Sequence, residues 1–219
     1  MKTKDIFLSD ESIAIGFIKS YEYPHLILPN IKNIVLELGE CLNDEYEKVG
    51  NDIWIHKTAK INKNAEIVGP AIIDAFAEVR QCAFIRGNVI IGKNSVLGNS
   101  CEIKNAILFN EVQVPHFSYV GDSVLGYKSH MGAGSIISNL KSDKKNIIIR
   151  NGDETLETNM RKIGAFLGDY VEIGCGSVLN PGTIILPRTN VYPLTSVRGV
   201  IGADKIVKDM KTIVEKGDF

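Results

Sequence analysis

Between positions 115 and 146 the chain reads PHFSYVGDSVLGYKSHMGAGSIISNLKSDKKN, its richest run of side chains able to do chemistry. His116 and His130 are imidazoles that can accept a proton from an amine near neutral pH, where histidine ordinarily titrates. Asn139 is followed by Lys141, Lys144 and Lys145, a concentration of positive charge suited to a phosphate. Tyr119 adds a hydroxyl close to the first histidine. Upstream, Arg86 and Lys104 are eighteen residues apart. In a coil with three six-residue sides, that spacing stacks two cations on one face. Lone histidines are more often packing residues, and lysine runs are more often simply solvated. The gathering of base, basic loop and stacked cations in one stretch is what favours a site.

What must position these groups is a repeat. From Ile55 every sixth residue is a large aliphatic: Ile61, Ile67, Ile73, Val79, Ile85, Ile91, Leu97 and Ile103. The pattern returns as Leu167, Ile173, Leu179, Ile185, Val191 and Val197. Helices repeat at 3.6 residues and strands at 2, so neither gives a period of six. A hexad predicts an all-β chain folded as a parallel β-helix, each unit forming one flat side and sending one aliphatic inward. Gly92, Gly98, Gly126, Gly132 and Gly174, each following a hexad aliphatic, suit the corners of such a coil.

The rhythm slips after Ile103, to Leu108, Val114 and Val120, and again to Leu125, Met131 and Ile137. Slips of this kind predict altered corners or bulges, places where solenoids carry function. The coils are expected over 51–200. Residues 138–162 leave the repeat as an excursion, with a hairpin expected to turn at Asn151-Gly152. Residues 1–50 lie outside the hexad and predict a small helical and irregular cap over the N-terminal end of the coil, including a helix after Asn30. Residues 201–219 carry Ile206, Met210 and Ile213 at helical spacing and predict a closing helix.

Composition bounds the rest. Across 219 residues, 44% hydrophobic and 23% charged residues describe a soluble globular chain with a sizeable core. A formal net charge of −1 gives no global attraction to nucleic acid or anionic membrane. No stretch is apolar enough to span a bilayer, and MKTKDIFLSD has no secretory apolar core. Four cysteines without CxxC pairing (Cys41, Cys82, Cys101, Cys175) fit a reducing, cytoplasmic setting.

The motifs AFIRG (83–87), CEIKNA (101–106), PHFSYVGDSVLG (115–126), MGAGSIISNL (131–140) and RKIGAFLGDYVEIGCGSVLNPGTII (161–185) resemble a known family. It is the acetyltransferase domain of the bifunctional sugar-1-phosphate nucleotidyltransferase/glucosamine-1-phosphate N-acetyltransferases, closest to the archaeal type. The resemblance covers roughly residues 60–200. It implies that the β-helix is a left-handed parallel β-helix and the protein a homotrimer with sites between subunits, binding acetyl-CoA and an amino-sugar 1-phosphate in the route to UDP-N-acetylglucosamine, with no metal needed. By position, His116 matches the catalytic base. Arg86, Lys104, Tyr119, Asn139 and Lys145 match the residues holding the sugar phosphate. His130 stands where bacterial members have asparagine, and counts with the substrate residues. Ala133 matches an acetyl-CoA contact, Cys175 replaces a CoA-contacting serine, and Arg198 lies near a residue reaching the CoA phosphates. Glu102 either orients His116 or is a solvated surface residue. Residues 1–50 resemble no part of a nucleotidyltransferase domain, so no uridyltransferase activity is expected.

Two other classes of function fit the fold. A non-catalytic scaffold would bind sugar or nucleotide without turnover. A zinc carbonic anhydrase would need three converging histidines, whereas the closest pair among His25, His56, His116 and His130 is fourteen residues apart.

Overall fold

The computed structural model describes residues 1–217 and is a left-handed parallel β-helix of about nine turns. The early coils each contribute one short strand to each of three faces. The first face stacks Ile53–His56, Ala71–Ile73 and Val89–Ile91, and the second stacks Lys60–Ile61, Glu78–Val79 and Val96–Asn99. Glu66–Val68 and Phe84–Arg86 begin the third. The hexad aliphatics from Ile73 to Ile103 and from Leu167 to Val197 are buried inside the coil, as are Leu108, Val114, Val120, Leu125, Met131 and Ile137.

The slips are shortened corners. Left-handed backbone recurs at Phe76, Cys82, Asn88, Asn94 and Ser100, one per corner. The next such residues are Asn105, Glu111, Phe117 and Asp122, so the corner between the third and first faces has lost one residue in two successive coils. There the strands Glu102–Leu108 and Tyr119–Leu125 run through the corner unbroken and pair with each other in parallel. The five glycines expected at corners have a different role. A Cβ on Gly98 would lie 1.6 Å from the Pro115 carbonyl oxygen, and one on Gly132 would lie 2.6 Å from the Cys175 nitrogen. They let the backbones of stacked coils approach, while other residues take the left-handed turns.

Only the last part of the N-terminal segment, Tyr46–Gly50, caps the coil end; the rest lies alongside the coil. Its helices Thr3–Ile6, Ile15–Ser20 and Ile31–Glu40, with the 3-10 segment Pro24–Asn30, lie along the first face. That face presents an outward column of Trp54, Ile72, Ile90, Ile107, Val124, Phe166 and Ile184, all buried. Ile31, Ile34 and Val35 of the last helix are buried with them in one core. Asn30 precedes that helix without a capping hydrogen bond, its amide donating instead to the Leu26 carbonyl. The segment is pinned at both ends. Leu8 and Ser9 N–H groups donate to Asp169 Oδ2, and the ring of Trp54 occupies the space where a Cβ on Gly39 would be. Tyr46–Gly50 pairs antiparallel with Ile53–His56 and closes the sheet edge of the first coil.

The excursion departs after Ile137 and carries the antiparallel hairpin Ile148–Asn151/Glu154–Glu157, which turns at Gly152-Asp153. The expected C-terminal helix over 201–219 is instead a second hairpin, Lys205–Asp209 with Thr212–Glu215. The helical spacing of Ile206, Met210 and Ile213 does not decide the outcome, because Met210 and Ile213 are exposed. Val207 is the residue buried, in register with Val191, so the chain extends the second face. Residues 218 and 219 of that expected helix lie outside the described residues. Among the described residues no helix is long and apolar enough to cross a membrane.

Candidate active site

The shortened corner gathers part of the expected site. Glu102 pairs with Phe84 and Ile103 with Ile85, which sets Lys104 one rung above Arg86, as the eighteen-residue spacing predicts. One rung further, Tyr119 pairs with Glu102 and Gly121 with Lys104. Gly121 is a necessary gap: a Cβ there would lie 2.4 Å from the Tyr119 hydroxyl and 2.8 Å from Asn139 Nδ2. Into that gap Asn139 donates to the Tyr119 hydroxyl at 3.2 Å and to Asp122 Oδ2 at 2.5 Å. Lys104 Nζ lies 3.6 Å from the same Asp122 oxygen. Lys104, Tyr119 and Asn139 are thus one cluster on the third face, around a carboxylate. Burial, then the nearby charges of Asp122 and Glu102, push the Tyr119 hydroxyl pKa up, so it remains a protonated donor at neutral pH. Arg86 is turned toward Glu102, donating from Nη1 to Oε1. Glu102 is therefore engaged by Arg86.

His116 ends the strand Gln113–His116, exposed at the edge where the second face turns into the third. Its carbonyl accepts from Gly134 N–H at 3.0 Å. One coil up, the Ala133 carbonyl accepts from Gly176 N–H at 2.9 Å, and above that the Cys175 carbonyl accepts from Leu194 N–H at 2.9 Å. His116, Ala133 and Cys175 therefore climb one edge in successive coils. Cys175 is a free, exposed thiol. Arg198 follows Ser196–Val197 on the third face, and its Nη2 donates to Asn180 Oδ1 at 3.4 Å.

Two expected residues are elsewhere. His130 is on the second face, in register with Gln113 and Glu172, and its Nδ1 is 2.9 Å from Glu172 Oε2. It therefore points away from Lys104 within one chain. Lys145 is exposed on the excursion beside Asp143, which accepts its backbone N–H and pairs with Lys141. His25 and His56 are buried, and burial pushes the His25 imidazole pKa down. Among the described residues no three His, Cys, Asp or Glu side chains are placed to hold a metal ion.

Asp122, absent from the expected set, is the hub of the cluster. It belongs to a column with Asn88, Asn105 and Asn139, spaced at seventeen residues, and that spacing of Asn and Asp was readable in the chain. Asn88 Nδ2 donates to Asn105 Oδ1 at 3.4 Å, and Asn105 Nδ2 to Asp122 Oδ1 at 2.9 Å.

The family described as the GMPPB C-terminal domain matches residues 67–201. The chain is 30% identical over 176 residues to a bifunctional sugar-1-phosphate nucleotidylyltransferase/acetyltransferase of Sulfurisphaera tokodaii, covering 72% of this chain and 44% of that protein. It is 36% identical over 153 residues to the bifunctional protein GlmU of Methanococcus maripaludis, covering 62% and 37%. The chain thus spans less than half the length of these relatives. Among solved structures, that of the polySia specific acetyltransferase NeuO aligns with a TM-score of 0.47 at 10% identity, over 76% of this chain and 88% of that one.

Proposed function

The chain belongs to the GMPPB C-terminal domain family, and from that premise we propose that it is an acetyl-CoA-dependent N-acetyltransferase acting on an amino-sugar 1-phosphate. Glucosamine 1-phosphate is the first candidate acceptor and galactosamine 1-phosphate the second. The observation that carries this reading is a juxtaposition. The edge bearing His116, Ala133 and Cys175 borders the face on which Lys104, Tyr119 and Asn139 surround Asp122. The relative named as a bifunctional sugar-1-phosphate nucleotidylyltransferase/acetyltransferase supports it.

In this reading Lys104, with Arg86, meets the phosphate, and Tyr119 and Asn139 offer donors to phosphate or sugar oxygens. His116 takes a proton from the sugar ammonium, and the freed nitrogen attacks the thioester carbonyl carbon. The attacking nitrogen gives up its second proton to solvent as the tetrahedral intermediate collapses, the C–S bond breaks, and the CoA thiolate recovers the first proton from His116. Neither a covalent enzyme intermediate nor a metal is needed, because holding both substrates together supplies much of the acceleration. Ala133, Cys175 and Arg198 would lie along the CoA.

His130 and Lys104 face different directions in one chain. A site between copies, the third face of one against the second face of another, would gather both, which favours a homotrimer as the active form; a cytoplasmic setting belongs to the same proposal. The product would serve UDP-N-acetylglucosamine formation.

The test is release of free thiol from acetyl-CoA by the purified chain, with glucosamine 1-phosphate, galactosamine 1-phosphate and a nucleotide-linked amino sugar as acceptors. Turnover with a sugar 1-phosphate is expected, falling by about 100-fold or more in His116→Ala at unchanged assembled mass. No thiol with any acceptor would replace this reading with the non-catalytic scaffold. A wild-type rate in His116→Ala would remove the base.

A further inference from the structure

One buried carboxylate binds the candidate site to the rest of the molecule. Asp122 is only 5% exposed. Its Oδ2 accepts the Asn139 amide and lies 3.6 Å from the Lys104 ammonium, while its Oδ1 accepts Asn105 Nδ2 at 2.9 Å. The same Asn105 amide donates to the Leu28 carbonyl at 3.2 Å, in the N-terminal segment that lies over the first face. Asp122 and Asn105 also line a cavity of about 580 Å³ with Leu28, Pro29, Leu140 and Met160.

The fold does not require a carboxylate at this corner. The equivalent left-handed positions in other coils are Asn88, Asn105, Gly182 and Gly199. Burying a charge is costly unless it is paired and hydrogen-bonded, so a buried carboxylate here is weak evidence of a stabilising device. What it supplies is acceptor capacity. Two amide N–H groups and an ammonium converge on it, and all three are donors.

We propose that Asp122 is a positioning residue of the acceptor site. Its two oxygens hold the Lys104 ammonium and the Asn139 amide at fixed points on the third face, to meet the phosphate and hydroxyls of an amino-sugar 1-phosphate. Asn105 ties that arrangement to the N-terminal segment through Leu28. The proposal rests on the acetyltransferase reading above. An asparagine at 122 would present an N–H where only donors arrive, leaving one of them unmatched.

The experiment is acceptor binding by calorimetry, with glucosamine 1-phosphate as the probe, together with steady-state kinetics on the full chain. Asp122→Asn should weaken acceptor binding and raise the acceptor KM about tenfold or more, while the acetyl-CoA KM stays within about twofold. Combined with Asn139→Ala, it should cost clearly less than the sum of the two single variants, because part of its effect passes through the Asn139 contact. Unchanged acceptor affinity, an equal loss for both substrates, or full additivity would overturn the proposal. Should Asp122→Asn fail to fold, Asn105→Ala keeps the carboxylate and must show the same split at smaller size; no split there overturns it too. A wild-type chain that neither binds nor acetylates any amino-sugar phosphate removes the acetyltransferase reading and this proposal with it. Wild-type turnover with an unaffected Asp122→Asn removes this proposal alone.

Discussion

The strand Glu102–Leu108 belongs to two faces of the coil, and its two halves have different surroundings. Before the corner at Asn105, Lys104 points outward on the third face, beside Asp122. Three residues later Ile107 points outward on the first face and is fully buried under the N-terminal segment. The inward residues, Ile103 and Leu108, are equally buried in both halves. The coil interior is therefore indifferent to which face a strand belongs to. Outward residues decide it: an apolar column recruits a covering segment and becomes core, and a polar column stays open and can become a site.

Ile107→Asp is the strongest way to break this contrast. It places a carboxylate among Ile90, Val124 and the covering helices, with no partner, and removes a fully buried aliphatic. The expected cost is about 4 kcal/mol or more, measured by urea or thermal unfolding. A stability within about 1 kcal/mol of wild type would mean that the N-terminal segment is not seated on the first face.

Lys104→Gln tests the other half of the strand. It keeps a polar donor on the open face but removes the charge, so a loss of about 1.5–3 kcal/mol in acceptor binding is expected, roughly 10- to 150-fold in acceptor KM. The unfolding midpoint should move far less than in Ile107→Asp. A large loss of stability with unchanged KM would make Lys104 a structural counter-ion to Asp122 and nothing more.

The contrast between the faces was partly legible in the sequence. Inward positions repeat every six residues whatever the face, so the β-helix could be read with no other information. The covered face had its own signal, since AII at 71–73, VII at 89–91, AIL at 106–108 and AFL at 165–167 are apolar at all three positions, the mark of a strand buried on both sides. Attention to the hexad alone hides it, and the N-terminal segment then looks like an end cap. The C-terminal hairpin was harder to read, because Ile206, Met210 and Ile213 suit a helix while Val207 alone marks the strand's buried side. At the site, Lys104, Tyr119 and Asn139 were predictable and do converge. Asp122 was overlooked because a carboxylate is not what a phosphate site calls for, although its place in the Asn88, Asn105, Asn139 column was visible. His130 and Lys145 do not join the cluster, because His130 lies on the second face and Lys145 on the excursion, which a spacing pattern does not show.

The smallest effect sharpens the comparison where the covering segment ends. Asp169 is 2% exposed and accepts backbone N–H groups from Leu8, Ser9 and Tyr127 at 2.8–3.0 Å. It thus fastens the covering segment to a late coil. Burial pushes its carboxyl pKa above the ordinary range, outweighing the N–H donors that pull the other way. A carboxyl that binds its proton more tightly in the folded chain than in the unfolded one contributes stability that is complete below the unfolded value, near 3.9. That contribution is lost as pH rises through the folded value, so between the two the wild type should lose stability with rising pH, and above the folded value the slope from this group should vanish. In Asp169→Ala this component of the slope is absent at every pH. Three N–H groups also lose their acceptor, at a cost of about 1–2 kcal/mol once water replaces part of it. Hydrogen exchange should then accelerate at Leu8 and Ser9 and remain slow at Ile34 and Val35, since the apolar column, rather than the clasp at its end, carries most of the segment's attachment. Equal acceleration along the whole segment would show instead that Asp169 fastens all of it.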